Sequence, residues 1–134
     1  MEIVLATHSL IRWLIIIVAV VAVVKFGIGW RRGDTFSGLD RGLSIIFSGL
    51  IDLQIVIGFI YFFWNGVAAG IGFPSFRIEH MITMLIAAAA AHLPTLWKKS
   101  EDKLRFRNSL FIVLDTLIII FFGIARLPGG VNPV

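Results

Sequence analysis

The sequence predicts an all-α integral membrane protein, an up-down bundle of four helices in which residues 1–134 form a single transmembrane domain with both termini outside. Three observations lead there. Hydrophobic residues are 58% of the chain and the mean hydropathy is +0.96, beyond the range of soluble globular domains. Four apolar runs, residues 3–24, 43–64, 78–97 and 110–125, approach the ~20 residues needed to cross a hydrocarbon core of about 30 Å. The basic residues divide unequally between the two faces that such a topology creates.

The first run follows "ME" with no basic segment before it and no small-residue cleavage site after it, so it reads as a retained helix and not a removable signal. "RRGDTFSGLDRG", residues 31–42, has the composition of a polar turn, and "NGVAAGIGFP", residues 65–74, the Gly and Pro density of a loop. The fourth run is short unless its helix begins near Phe106. Alternating helices put Lys25, Arg31, Arg32, Arg41, Lys98, Lys99, Lys103, Arg105 and Arg107 on one face, and Arg12, Arg77 and Arg126 on the other. Nine against three predicts that the first face is cytoplasmic and that the termini are periplasmic in a bacterial inner membrane. These residues set orientation at helix ends, so the net charge of +4 implies no nucleic-acid partner. Trp30, Trp64 and Trp97 fall at helix ends, where indoles anchor at headgroup level.

With no cysteine, the chain has no thiolate cluster, no thioether-linked haem and no disulfide, and any metal must be held by histidine, methionine or carboxylate. His8 and His80 each lie early in helices that start from the outer face, within about one turn of the same depth. In an up-down bundle the first and third helices are diagonal, so these imidazoles face each other across the core. That is the arrangement by which two histidines ligate one b-type haem. Arg12 lies one turn below His8, and Arg77 and Arg126 lie at the outer ends of their helices, all suited to haem propionates. Glu79 reads as a salt-bridge partner of Arg77 or another outer arginine. The run 87–91, all alanine, offers a surface without bulk to a macrocycle or to a neighbouring helix. His92, twelve residues past His80, is ~18 Å deeper and turned by roughly 120°, which predicts a hydrogen bond or a place beside a quinone head group instead of iron ligation.

Asp52 and Asp115 fall near mid-membrane, where a bare carboxylate is costly. They are expected inside the bundle, either paired with Arg12 or moving protons, for instance in quinol deprotonation. Gln54, Tyr61 and Asn65 form a polar stripe at spacings of seven and four. A faint duplication sets "LIDLQIVIGF" from Leu50 over "VLDTLIIIFF" from Val113, aligning the two aspartates.

Through "HSLIRW" at His8, "LIDLQIVIGFIYF" in the second helix, "RIEH" ending at His80 and "GIARLP" near the end, nearly the whole chain resembles a family of small four-helix bacterial membrane proteins described as cytochrome b-like. The resemblance implies one haem b held by His8 and His80. A more distant similarity is to the membrane protoporphyrinogen oxidases, which carry a lysine two residues after the third-helix histidine where this chain has Ile82. Another is to the copper-resistance D family, whose methionine-rich motif is absent here, Met81 and Met84 reading as packing residues. The function expected is single-electron transfer near the outer face, with quinol or a partner protein and with a redox partner or a homodimer. The alternatives are an oxidoreductase of haem synthesis and a haem-free transporter or assembly subunit.

Overall fold

The structure, a computed structural model, describes residues 2–128, so Met1 and the stretch ending at Val134 lie outside the described residues. It is an all-α four-helix bundle: α1 Glu2–Arg32, α2 Gly38–Phe63, α3 Ser75–Ala91 and α4 Asp102–Ala125. A wide π turn, Trp64–Ala68, continues α2, and a 3-10 turn, Leu93–Trp97, continues α3. With these extensions all four are long and apolar enough to cross a membrane. α1 packs on α2 and α4, and α3 packs on α4 and more lightly on α2, which leaves α1 and α3 diagonal.

The helices are longer than the apolar runs that announce them. α1 continues eight residues past Val24, because hydropathy marks only the part that sits in hydrocarbon, while Lys25, Arg31 and Arg32 are good helix formers at its end. The stretch 31–42 is therefore mostly helical, with the connection confined to residues 33–37. α4 begins at Asp102, earlier than the fourth apolar run. Only the later part of "NGVAAGIGFP" is a loop, since Asn65 to Ala68 stay in the π turn.

The buried stripe of α1 is Ile11, Ile15, Ala19, Ala22, Phe26 and Gly29, at helical steps of three and four that keep one face towards its neighbours. Ala19 and Ala22 are fully buried, and such small side chains let helices approach closely where lipid offers no hydrophobic drive. At the basic end of the bundle Phe26, Phe36 and Phe106 form an aromatic cluster with ring centroids 5.0–6.4 Å apart. Phe106 lies where a side chain on Gly29 would be.

Beside that cluster the start of α2 is fixed by Asp40, which is 0% exposed. Its Oδ1 accepts from Lys25 Nζ at 2.7 Å, and its Oδ2 accepts from the Ser37 N–H at 2.9 Å and the Ser37 hydroxyl at 3.0 Å. The carboxylate thus satisfies a free N–H at the helix start, neutralises an ammonium and joins α1 to α2. At the opposite end Arg77 performs the complementary task. Its Nη1 donates to Gly72 O and its Nη2 to Phe62 O, both at 3.0 Å, and its guanidinium lies 5.0 Å from the Phe62 ring centroid. Gly70 and Gly72 take φ of 72° and 77° in that connection, a region that disfavours any other residue.

Asp40→Ala should leave the Lys25 ammonium and the Ser37 N–H unpaired and lower stability by roughly 3 kcal/mol. The check is the thermal unfolding midpoint in detergent, with Asp34→Ala, whose carboxylate makes no ion pair among the described residues, leaving it unchanged.

Candidate functional site

Between the four helices, towards the end opposite the basic one, lies a cavity of about 190 Å³. Its wall is mostly aliphatic, and its polar members are His8, Arg12, Gln54, Tyr61, Arg77 and His80. The two histidines thus reach one cavity from diagonal helices.

His80 is fixed by its neighbour. α3 and α4 approach closely at Gly123, where any side chain would overlap the end of Met84 and press on Thr83. That approach brings Gly123 O within 2.9 Å of His80 Nδ1. Gly123 is in the last turn of α4, where helix carbonyls have no partner of their own. A carbonyl only accepts, so Nδ1 carries the proton and, in the neutral ring, Nε2 keeps its lone pair. A histidine that binds metal through one nitrogen and donates the other N–H to a carbonyl has this preparation.

His8 is placed by α2. Gln54 Nε2 donates to the main-chain carbonyl of His8 at 2.8 Å, and Gly58 is so near that a Cβ there would lie 3.6 Å from His8 Nε2. Gln54 Oε1 is buried with no hydrogen-bond partner among the described residues. Arg12 makes no ion pair among the described residues and lies 5.6 Å from the Trp13 ring centroid. An unpaired guanidinium on an apolar cavity favours an anionic guest.

The geometry rearranges the remaining expected residues. Arg77 lines the cavity while holding two carbonyls. Arg126 does not line it: it is exposed, with Nε 3.4 Å from Glu79 Oε2, which gives Glu79 the outer arginine expected of it. Asn65 is buried in the π turn, and only Gln54 and Tyr61 of the polar stripe reach the cavity. Ala87 and Ala91 are buried in packing and absent from the wall, so the alanine run serves a neighbouring helix.

Both aspartates depart from expectation. Asp52 and Asp115 are exposed on the bundle surface and neither contacts Arg12. Depth along a helix fixes how far a residue lies from the end, while its angular position fixes which side it faces, and α2 and α4 are apolar almost all round. Asp52 meets His92 instead, with Nε2 2.9–3.0 Å from both carboxylate oxygens. The pair joins α2 to the end of α3, two helices that pack more lightly on each other than the other neighbouring helices do. His92 thus takes the hydrogen-bonding role.

Sequence reading overlooked Gly58, Gly123 and the wall positions of Met81 and Met84. Glycine inside an apolar helix was the available signal, since it marks close approach of backbone or ligand. The methionines supply an adaptable wall. Among the described residues no three of His, Cys, Asp and Glu gather to hold an ion. A bare ion needs three or four protein ligands, whereas a haem brings its own equatorial nitrogens and asks the protein for two axial ones. Two histidines on one mostly aliphatic cavity, with the Arg12 and Arg77 guanidinium groups on the same wall, fit such a group. The chain matches no family model, no curated protein and no solved structure.

The Asp52–His92 contact should be worth about 0.5–2 kcal/mol as an interhelical hydrogen bond in lipid. A double-mutant cycle of Asp52→Ala with His92→Ala, read by unfolding in detergent, should show that coupling, and a cycle of Asp115→Ala with His92→Ala should show none.

Proposed function

We propose that this chain is a membrane haem b protein that passes single electrons, in which His8 and His80 would hold the haem. One observation carries the reading: imidazoles from diagonal helices line one cavity, and one of them already has its Nδ1 proton committed to a helix carbonyl. When bound, haem b supplies a one-electron couple. The chain supplies the rest. Gly123 fixes the tautomer and ring plane of His80, Gln54 and Gly58 position the helix backbone around His8, and the aliphatic wall excludes water. Arg12 and Arg77 offer positive charge to carboxylates on the guest. Arg126, paired with Glu79, stands outside that set.

The nine-to-three distribution of basic residues supports an orientation with the basic end cytoplasmic and the histidine cavity near the outer face, which is periplasmic if the membrane is a bacterial inner membrane. Quinol is the electron donor favoured: its oxidation to quinone releases two electrons, which a one-electron couple would take singly, and two protons, one of which the Asp52–His92 pair on the bundle's surface would accept and the other of which would pass to water. The electrons then leave to a partner protein or a second copy of the chain.

The purified protein should show an absorption spectrum of six-coordinate low-spin haem, oxidised and reduced. His8→Ala or His80→Ala should abolish that spectrum, and His92→Ala should preserve it. Protein that stays colourless when expressed and supplied with haem overturns the assignment and leaves the haem-free and biosynthetic alternatives, and a low-spin spectrum that survives loss of His8 overturns the ligand pair.

The absence of cysteine makes the orientation directly measurable. On intact cells a membrane-impermeant maleimide should label Ala69→Cys and spare Lys99→Cys until the membrane is opened; the reverse pattern inverts the topology.

A further inference from the structure

The basic end holds a second cavity, of about 150 Å³, where the start of α2, the 3-10 turn after α3 and the start of α4 meet. Arg41, Lys98 and Arg105 line it, one from each of these segments, and no Asp or Glu does. None of the three makes an ion pair among the described residues. Arg105 is held with its guanidinium 4.0 Å from the Phe36 ring centroid, a stacking that fixes the plane while leaving the N–H groups at its edge to bond elsewhere.

Hydroxyl groups complete the lining. Ser48 Oγ donates to Ile45 O at 3.2 Å, whereas Ser44 Oγ is buried with no partner. A buried hydroxyl without a bond is costly, and beside three unneutralised cations its natural partner is an anionic oxygen. His92 forms one edge of the cavity, and the nearest carboxylate to it is Asp52, bonded to its Nε2.

We propose that this cavity binds a phosphate group, carried by the headgroup of an anionic lipid or by free phosphate. Three cations on separate segments converge on a volume suited to a headgroup, and their place at the end of the membrane-length helices is where anionic headgroups lie. Arg41 and Arg105 supply planar N–H forks for phosphate oxygens, Lys98 a point charge, and Ser44 the neutral donor. A bound phosphate bridges α2, α4 and the 3-10 turn, the side of the bundle where helix contact is lightest.

The test uses the purified full chain in detergent, with phosphatidylglycerol, phosphatidylcholine or inorganic phosphate added separately, and reads lipid retention by native mass spectrometry and the thermal unfolding midpoint. Phosphatidylglycerol should be retained and raise the midpoint, and phosphatidylcholine should do neither. Arg41→Gln, Lys98→Gln and Arg105→Gln should each weaken retention about fivefold, Arg105→Lys should restore only part of it because it keeps the charge without the fork, and Arg31→Gln and Lys103→Gln, at the same end but outside the cavity, should change nothing. Inorganic phosphate that raises the midpoint alone, with the same dependence on the three residues, supports the site and assigns it to soluble phosphate. Equal retention of both lipids, or phosphatidylglycerol retention indifferent to all three substitutions together with no effect of phosphate, overturns it. None of these readouts involves a visible spectrum, so the outcome stands apart from that of the haem assignment.

Discussion

Hydrocarbon provides no hydrogen-bond partner, and the arrangement of this bundle follows from that. Helices satisfy their own main chain, so the free carbonyls at helix ends and the polar side chains inside must find one another. His80 donates to Gly123 O in the last turn of α4, Arg77 to Phe62 O at the end of α2, and Gln54 to His8 O within α1. In each case a side chain on one helix holds the backbone of another. The same bonds that satisfy carbonyls therefore set the relative positions of all four helices around the histidine cavity, and they leave the unprotonated imidazole nitrogen of His80 and the Arg12 guanidinium without a protein partner among the described residues.

The helices and the histidine pair were legible from the sequence because both depend on position along an axis. Runs of apolar residues give span number, and counting residues from a span's start gives depth, which is why His8 and His80 were expected at one level and do reach one cavity. Facing direction is another matter. Asp52 and Asp115 sit on helices with little polar contrast around their circumference, so nothing in the pattern said which way they point, and an interior place was inferred from cost alone. The price of exposure is lower than supposed for Asp52 because His92, from the next helix, reaches it. Helix boundaries were blurred for a third reason: hydropathy is blind to a helix that continues into the headgroups. The start of α2 was nevertheless written in the chain, as a serine followed three residues later by Asp40.

The two ends of the bundle have opposite character. One encloses a mostly aliphatic cavity with a few polar groups on its wall. The other combines an aromatic cluster with cations lacking carboxylate partners, a surface suited to charged headgroups. Glycine serves both ends by letting rings and carbonyls come close: Gly29 admits Phe106 at one end, and Gly123 admits the contact that orients His80 at the other.

The pair of Lys25 with Asp40 has a consequence for biogenesis. Both residues belong to the first two helices, so both have left the ribosome before α3 is made. Lys25 lies just past the apolar run of α1 and Asp40 just before that of α2, so their charges meet at the end of the hydrocarbon span. Joined across the short connection at residues 33–37, they neutralise one another and close the first two helices into a hairpin. The clasp draws on residues 25–40 alone, so the chain carries all of it before α3 and α4 are made, and those two helices bring the remaining walls of both cavities.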